Sequence, residues 1–386
     1  MTFSSTVYDH IEDVPQDDWS RIVSDPNDLA IDRRLLGAFQ STIGDQCRCW
    51  FVIFRNESSQ PVAAACLALF QVDPLETTRL SRALPVRLRF GVLFCGLPVP
   101  SGASHLRWVP GTDLANLSES LDALLRKLAR KHRARLVVVK ELDVSQSTDL
   151  IGLQSLRYIR GEIPCAYELR HNFKSFDEYF AALQSGYRKQ ITRSQKRFRR
   201  AGATIEVVTG TAIAERFTDE VHALYLATRD HAEYRMETLP AEFFREVGRR
   251  FGDDASLTLL SLDGKVVGWT FGIVAGPEYH DLYIGIDYAR NAEADVYFNL
   301  YYHDLDRVFR RGYTCVHLGQ TSDEFKTRLG AEPRELWFYV RAVNSLMHAG
   351  LRRAARWVFP PVEHVPPRDI FLHANPQTRS KLTVQR

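Results

Sequence analysis

The sequence predicts an α/β protein made of two similar units in tandem, each a mixed, mainly antiparallel sheet flanked by helices. Three observations carry this. The length of 386 residues exceeds what one ordinary core organises, so two domains of somewhat under 200 residues are expected. Short apolar runs rich in β-branched and aromatic residues are interleaved with stretches of helical period. The order helices, hairpin, third strand, helix, strand occurs in the first half and again in the second. With little residue identity between the halves, this is a tandem pair rather than a solenoid, which would need a shorter period repeated more often.

In the first half, Trp19, Ile22, Val23, Leu35, Leu36 and Phe39, interrupted near Pro26, predict two short helices over 14–41. Cys49 to Phe54 reads as a strand, and the polar turn Asn56 to Gln60 joins it to Val62 to Val72 as a hairpin. Residues 83–99 are apolar but punctuated by prolines and glycines, which predicts a strand running into an irregular loop. Leu114, Leu117, Leu121, Leu124, Leu125 and Leu128 form a stripe at spacings of three and four, with basic residues at its end as the helix dipole favours. The strand Leu136 to Val139 follows.

The second half is expected to start near Pro164, after a connection over 143–165. Ser175 and Glu178 form a possible capping box for a helix through Leu183, which Ser185-Gly186 interrupts. A basic helix, Tyr187 to Arg200, then carries seven Arg and Lys residues up to the stop at Gly202. Two amphipathic helices are expected over 217–229 and 240–251, separated by the polar segment His231 to Thr238. Ser256 to Leu262, the turn Asp263-Gly264 and Val266 to Ala275 make the clearest hairpin. Gly268 within it predicts a bulge or the close approach of a ligand. In the strand over 279–286, alternation places Tyr279, Asp281 and Tyr283 on one face and Leu282, Ile284 and Ile286 on the other. A helix from about Val296 to Arg310 precedes the stretch Tyr313 to Val340, which reads as a strand, a polar loop carrying Glu324 and Lys326, and a second strand. The domain boundaries expected are 1–160, 161–360 and an extended polar tail over 361–386.

A net charge of only +3 argues against a chain basic throughout but allows a local cationic patch. The acidic N-terminus has no apolar core of a secretory signal, and no apolar run reaches the roughly 20 residues of a membrane span, so a cytoplasmic location is expected. Six scattered cysteines without a CxxC pair read as buried thiols of a reducing compartment. Cys47 and Cys49 share a strand face, but two ligands without partners make a weak zinc case.

Strand-strand-strand-helix-strand after leading helices resembles the order of the GNAT-type N-acyltransferase fold, and two such units in tandem resemble the FemABX-like peptidoglycan aminoacyltransferases. The stretch Arg188 to Gly202, RKQITRSQKRFRRAG, is similar to the Arg-rich helix ending in Ala-Gly or Lys-Gly that precedes the second unit in that family. DGKVVGWTFGI resembles its central hairpin, and VFRRGYTCVHLGQTSDEFKTRLG its helix, Gly, strand, polar loop, Lys, Gly ending. These similarities cover roughly residues 170–345. Acyl-CoA-using members place a Gly-rich turn at the start of the helix after the third strand, so that backbone amides cradle a pyrophosphate. Here no glycine stands between Gly285 and Gly312, and His317 stands where relatives often carry an acidic residue.

The resemblance implies N-acyl transfer from an activated thioester or ester to an amine by direct attack, centred in the second unit. It assigns Lys326 to the acyl carbonyl, where a cation stabilises developing negative charge. Glu324, two residues earlier, is a candidate to orient Lys326 or accept the acceptor's proton, and Gln320 joins the same loop. Asp287 and Tyr283 are candidates for the acceptor, and Tyr297 and Asn299, in the first turn of the following helix, for the donor. Arg188 and Arg193 are carried forward from the basic helix, whose charge density suits phosphate. No tightly bound cofactor or metal is expected, with acyl-CoA or another activated donor as co-substrate. The partners expected are a small-molecule or peptide amine, with tRNA or an acyl-carrier protein as possible donors' carriers. Two rival readings stand beside this: a transferase strictly dependent on aminoacyl-tRNA, and a degenerate GNAT module that only binds.

Overall fold

The computed structural model describes residues 2–72, 89–98, 102–231, 238–320 and 322–372. The parts of the expected loop at 83–88 and 99, of the polar segment at 232–237 and of the tail at 373–386 lie outside the described residues. The chain divides into two compact units, one of residues 1–165, 233–239 and 335–363, the other of 166–232, 240–334 and 364–386. The chain first crosses between the units after residue 165, and residues 335–363 return to the first unit.

In the first unit, β1 (Ser4–Tyr8), β2 (Cys47–Arg55), β3 (Pro61–Val72) and β4 (Phe90–Cys95) pair antiparallel in that order, with the short β5 (Leu106–Trp108) also on β3. β6 (Leu136–Leu142) runs parallel to β4. The Leu114–Lys131 helix lays its leucine stripe on this sheet, burying Leu117, Leu121 and Leu125 against Trp50, Val52, Leu67 and Val137. Asp113 caps it by accepting the amides of Ala115 and Asn116 at 3.0 and 3.1 Å.

β7 (Ile159–Arg170) enters the second unit at residue 166. There its end pairs antiparallel with β12 (Cys315–Gln320), once β8 (Thr204–Thr209), β9 (Ala255–Leu262), β10 (Lys265–Ala275) and β11 (Glu278–Ile286) have formed the rest of the sheet. β8 to β11 are antiparallel neighbours in sequence, while β11 and β12 are parallel. β13 (Glu332–Ala342) ends in the first unit, antiparallel to β6, with Ala342 opposite Leu136. That pairing is why residues 335–363 belong there.

Two layers of helices cover the second sheet. Gly268 and Trp269 are neighbours on β10, so they point to opposite faces. A Cβ on Gly268 would lie 2.4 Å from Val296 Cγ1, and the Trp269 ring meets Phe244 edge-on at 5.6 Å. The Val296–Arg310 helix thus lies on one face and the Ala241–Phe251 helix on the other. The close approach at Gly268 is made by the Val296–Arg310 helix, beside a bulge at Val267.

A second bulge corrects the expected alternation of β11. Phe271 pairs with Tyr283 but Gly272 with Asp281, leaving Leu282 unmatched. Asp281 consequently faces the Val296–Arg310 helix, whereas Tyr283 packs on the opposite face among Tyr225, Phe243 and Phe244 at 5.4–6.1 Å. The presumed polar loop is a further correction, since Asp323–Arg328 is a short helix. The break expected at Ser185-Gly186 falls two residues earlier, at Leu183 and Gln184, and the basic helix begins at Ser185. Of the expected tail, Ile370 is fully buried, and Gln184 and Leu372 bond Ile370 and Ala182 backbone to backbone at 2.8 Å. Among the described residues, no helix is long and apolar enough to cross a membrane.

Candidate functional site

The short Asp323–Arg328 helix is held between two backbone reversals, at Ser322 (φ +58) and at Gly330 (φ +84). Its Phe325 ring anchors it, meeting Tyr297, Phe298 and Tyr301 of the long helix at 4.5, 5.1 and 4.8 Å. With Phe325 inward, the next side chain is carried below the surface as well. Lys326 is only 3% exposed, donates from Nζ to the Gln320 carbonyl at 2.6 Å, and stands 5.6 Å from the centre of the Tyr167 ring. Burial pushes its pKa down to about 7, although the charges of Asp281 and Asp323 act to raise it.

Asp281 is buried, close enough for its charge to act on this amine. Its carboxyl bonds Tyr301, but Oδ1 makes no hydrogen bond. Burial, followed by the charge of Asp304, pushes its pKa well above the ordinary carboxylate value. Asp304, one turn along the same helix from Tyr301, behaves oppositely. Burial acts to raise its pKa, but contacts with His303, Arg307, Thr270 and Thr258 outweigh that and hold it low. Thr258 donates to it at 2.7 Å, and Thr270 donates to its other oxygen. Two buried carboxyls are therefore driven apart, Asp281 upward by burial and Asp304 downward by its bonds.

The site residues expected from the sequence fall into two groups. Lys326, Gln320 and Tyr297 are brought together, with Tyr297 bonded to Tyr301 and Ser322 at the rim. The others are not. Glu324 is exposed and pairs with Arg328 at 3.3 Å, one turn along the same helix and away from Lys326. Asp287 accepts the Ala289 amide at 3.0 Å in a turn after β11. Arg188 ties down the end of the preceding helix, donating to the Leu183 and Ala181 carbonyls at 2.6 and 3.2 Å. Arg193 is exposed on its helix. Asn299 points inward, its amide donating to Ala294 O and Ser194 Oγ at 2.7 and 3.1 Å. Tyr283 is taken to the other face by the bulge. Asp281 and Tyr301 were not singled out; an acidic residue on the same strand face as Tyr279 was the available signal for the first.

The start of the Val296–Arg310 helix was tested as a pyrophosphate cradle. The Tyr297 amide is taken by Asn291 Oδ1 at 3.0 Å, and an acidic residue, Asp295, occupies the cap, paired with Arg197 at 2.7 Å. A side chain thus fills the first turn where a pyrophosphate would need free amides, and a carboxylate sits at its entrance. These residues do not fit the usual mode of coenzyme A binding.

The site itself has no nucleophilic triad. It offers a buried amine with a pKa of about 7, a buried carboxyl whose pKa is raised, and a phenol, which can hold a carbonyl oxygen and move a proton.

The fold and these positions can be set against known proteins. The FemAB-like family profile, described as peptidoglycan biosynthesis/recognition, matches residues 96–357. A search of curated proteins returns no match. Similar solved structures include FemX, at 15% identity and a TM-score of 0.52, covering 84% of this chain and 95% of that one. A tandem GNAT protein from the clavulanic acid biosynthesis pathway gives 15% and 0.52, with 89% and 99% coverage. The C-terminal domain (DUF2156) of a putative lysylphosphatidylglycerol synthetase from Agrobacterium fabrum gives 13% and 0.50, with 90% and 99% coverage. At these identities the structures speak to fold alone. The family profile spans well over half of the sequence, and with it the chain belongs to the FemAB-like family, with the tandem GNAT acyltransferase fold.

Proposed function

We propose that the chain is an acyltransferase that moves an aminoacyl group from an activated ester to an amine, with Lys326 at the reacting carbonyl. One observation carries this reading: the Lys326 amine is buried, bonded to the Gln320 carbonyl at 2.6 Å and brought by that burial to a pKa of about 7, within reach of the charge of Asp281. In its charged form Lys326 stabilises the oxyanion formed when the acceptor amine attacks the carbonyl carbon. The tetrahedral adduct then collapses, the ester C–O bond breaks, and the departing oxygen takes up a proton while the new ammonium loses one. The products are an amide and an alcohol, with no covalent enzyme intermediate.

An ester donor is favoured over a coenzyme A thioester by the capped start of the Val296–Arg310 helix. A nucleic-acid-linked ester is favoured by the Ser185–Arg200 helix, which exposes Lys189, Arg193, Lys196, Arg199 and Arg200. The family description supports a peptide amine of the peptidoglycan type as acceptor.

The test is transfer from aminoacyl-tRNA and, separately, acetyl-CoA to a peptide amine. Lys326→Met should lower kcat by at least about 100-fold, with little change in KM for the donor, as expected for a group that acts mainly in the transition state. Donor affinity should fall steeply with salt. Full activity of Lys326→Met would overturn the assignment, and salt-independent use of acetyl-CoA would overturn the donor class.

A further inference from the structure

The other face of the second sheet carries a second set of chemically active side chains, which the proposed reaction does not use. On β11, Glu278 and His280 point away from the side that Asp281 faces, because successive residues of a strand alternate. The register sets Glu278 beside Cys315 and His280 beside His317 on β12, and then Cys315 beside Arg170 and His317 beside Glu168 on β7. Three adjacent strands thus present two rows on one face: Glu168, His317 and His280, then Arg170, Cys315 and Glu278. Such cross-strand neighbours lie within side-chain reach.

The contacts bear this out. The His280 and His317 rings stack at 4.2 Å with 6° between their planes. His317 Nε2 lies 2.7 Å from Glu278 Oε2 and 3.7 Å from Cys315 Sγ. Ligand atoms of Glu278, His280 and His317 lie within 4.8 Å of one another, as do those of Glu168, Cys315 and His317. His280 Nε2 is buried and makes no hydrogen bond. A buried ring nitrogen without a partner is costly unless something occupies it.

We propose that Glu278, His280 and His317 form a binding site for a borderline divalent cation such as Zn2+, with a fourth position open to water, Glu168 or Cys315. Two imidazoles and a carboxylate are a three-ligand set such an ion accepts. Bonds of about 2.0–2.2 Å put tetrahedral ligands roughly 3.4 Å apart, so the 2.7 Å contact of His317 with Glu278 must open while wider pairs close in. Burial keeps His280 neutral, and the His317 contact holds Glu278 ionised, the states metal ligation needs. Arg170, bonded to Glu168 at 3.0 Å and 3.8 Å from Glu278, opposes the cation, and so does the charge of Arg334. These two guanidiniums set the affinity below that of a closed structural zinc site. Once bound, the ion ties β7, β12 and β11 together on the face opposite Lys326.

The test uses the full chain after chelation, titrated with Zn2+ by calorimetry and with Co2+ by visible absorption. One saturable site is expected, with the intense d–d bands of tetrahedral Co2+. His280→Ala and His317→Ala should each weaken it by at least about 100-fold, and Lys326→Met should leave it unchanged. Glu278→Gln keeps the volume and an acceptor for His317, so it decides the matter if the histidine variants do not fold; about 10-fold or more weakening is expected. No saturable binding by the wild type, or affinity unchanged in Glu278→Gln, overturns the proposal.

Discussion

Replacing Lys326 by methionine should make the protein more stable while abolishing transfer. The native amine titrates near 7 instead of at its ordinary 10.5 because it is buried. At about 1.4 kcal/mol per pH unit, holding the charged form in place at neutral pH costs up to about 5 kcal/mol. Methionine fills the same channel with an apolar chain, and loses the bond to Gln320, worth about 1–2 kcal/mol. A net gain of about 2–4 kcal/mol at pH 7 or below follows, read as a higher urea midpoint. Between pH 7 and 10.5 the unfolded chain binds a proton at Lys326 that the folded chain does not, so wild-type stability rises with pH across that window. The variant lacks this rise, and its advantage should shrink steadily, by about 1.4 kcal/mol per pH unit, and reverse between about pH 8.5 and 10. Other groups titrating in the range cancel in the difference between the two proteins. A variant less stable than wild type at pH 7, or a difference that ignores pH, would refute the claim that the lysine is buried at a cost.

Three further substitutions separate the parts of the site. Glu324→Gln should leave kcat/KM within about twofold and stability within about 1 kcal/mol, because its pairing with Arg328 is an exposed one; transfer kinetics and urea melts check both. Gly268→Ala should destabilise by about 1–3 kcal/mol, since the new methyl would stand 2.4 Å from Val296 Cγ1 and 3.1 Å from Ile286 Cδ1. Asp304→Asn should cost about 2–4 kcal/mol, as the amide cannot accept from both threonines in the way the charged carboxylate does. The wild-type contribution is present above the ordinary carboxylate pKa and is lost as pH falls through the lower folded value, so the gap between Asp304→Asn and wild type should narrow in acid melts.

Elements that announce themselves by period or turn chemistry were legible in the sequence. The Leu114–Lys131 helix follows its leucine stripe, and the β9–β10 hairpin closes at Asp263-Gly264, both with positive φ. β1 and β8 were not legible, because they lie at sheet edges with largely exposed residues and show no apolar run. The helix at Lys326 was hidden by its own composition. Asp323, Glu324, Lys326, Thr327 and Arg328 read as a solvated loop, and one aromatic, Phe325, decides instead which way the segment turns. Polarity marks exposure on average, and it fails where the packing of a neighbouring ring carries a charged side chain inside.

The bulge at Leu282 explains why the candidate site was only half visible. Strict alternation would put Tyr283 beside Asp281, facing the Val296–Arg310 helix, where Ile284 and Ile286 now pack. One extra residue moves Tyr283 into the aromatic cluster of Phe243 and Phe244, while Asp281 stays near Lys326. It also fixes which neighbours share a face on the N-terminal side, with His280 turned to the opposite side and Asp281 to the site. A register slip by one residue would exchange them, putting a neutral imidazole near the lysine and an acid among the histidines. The packing of five rings, Tyr225, Phe243, Phe244, Trp269 and Tyr283, resists that slip far from the amine itself. The electrostatics of Lys326 are therefore set by aromatic packing on the face it never touches.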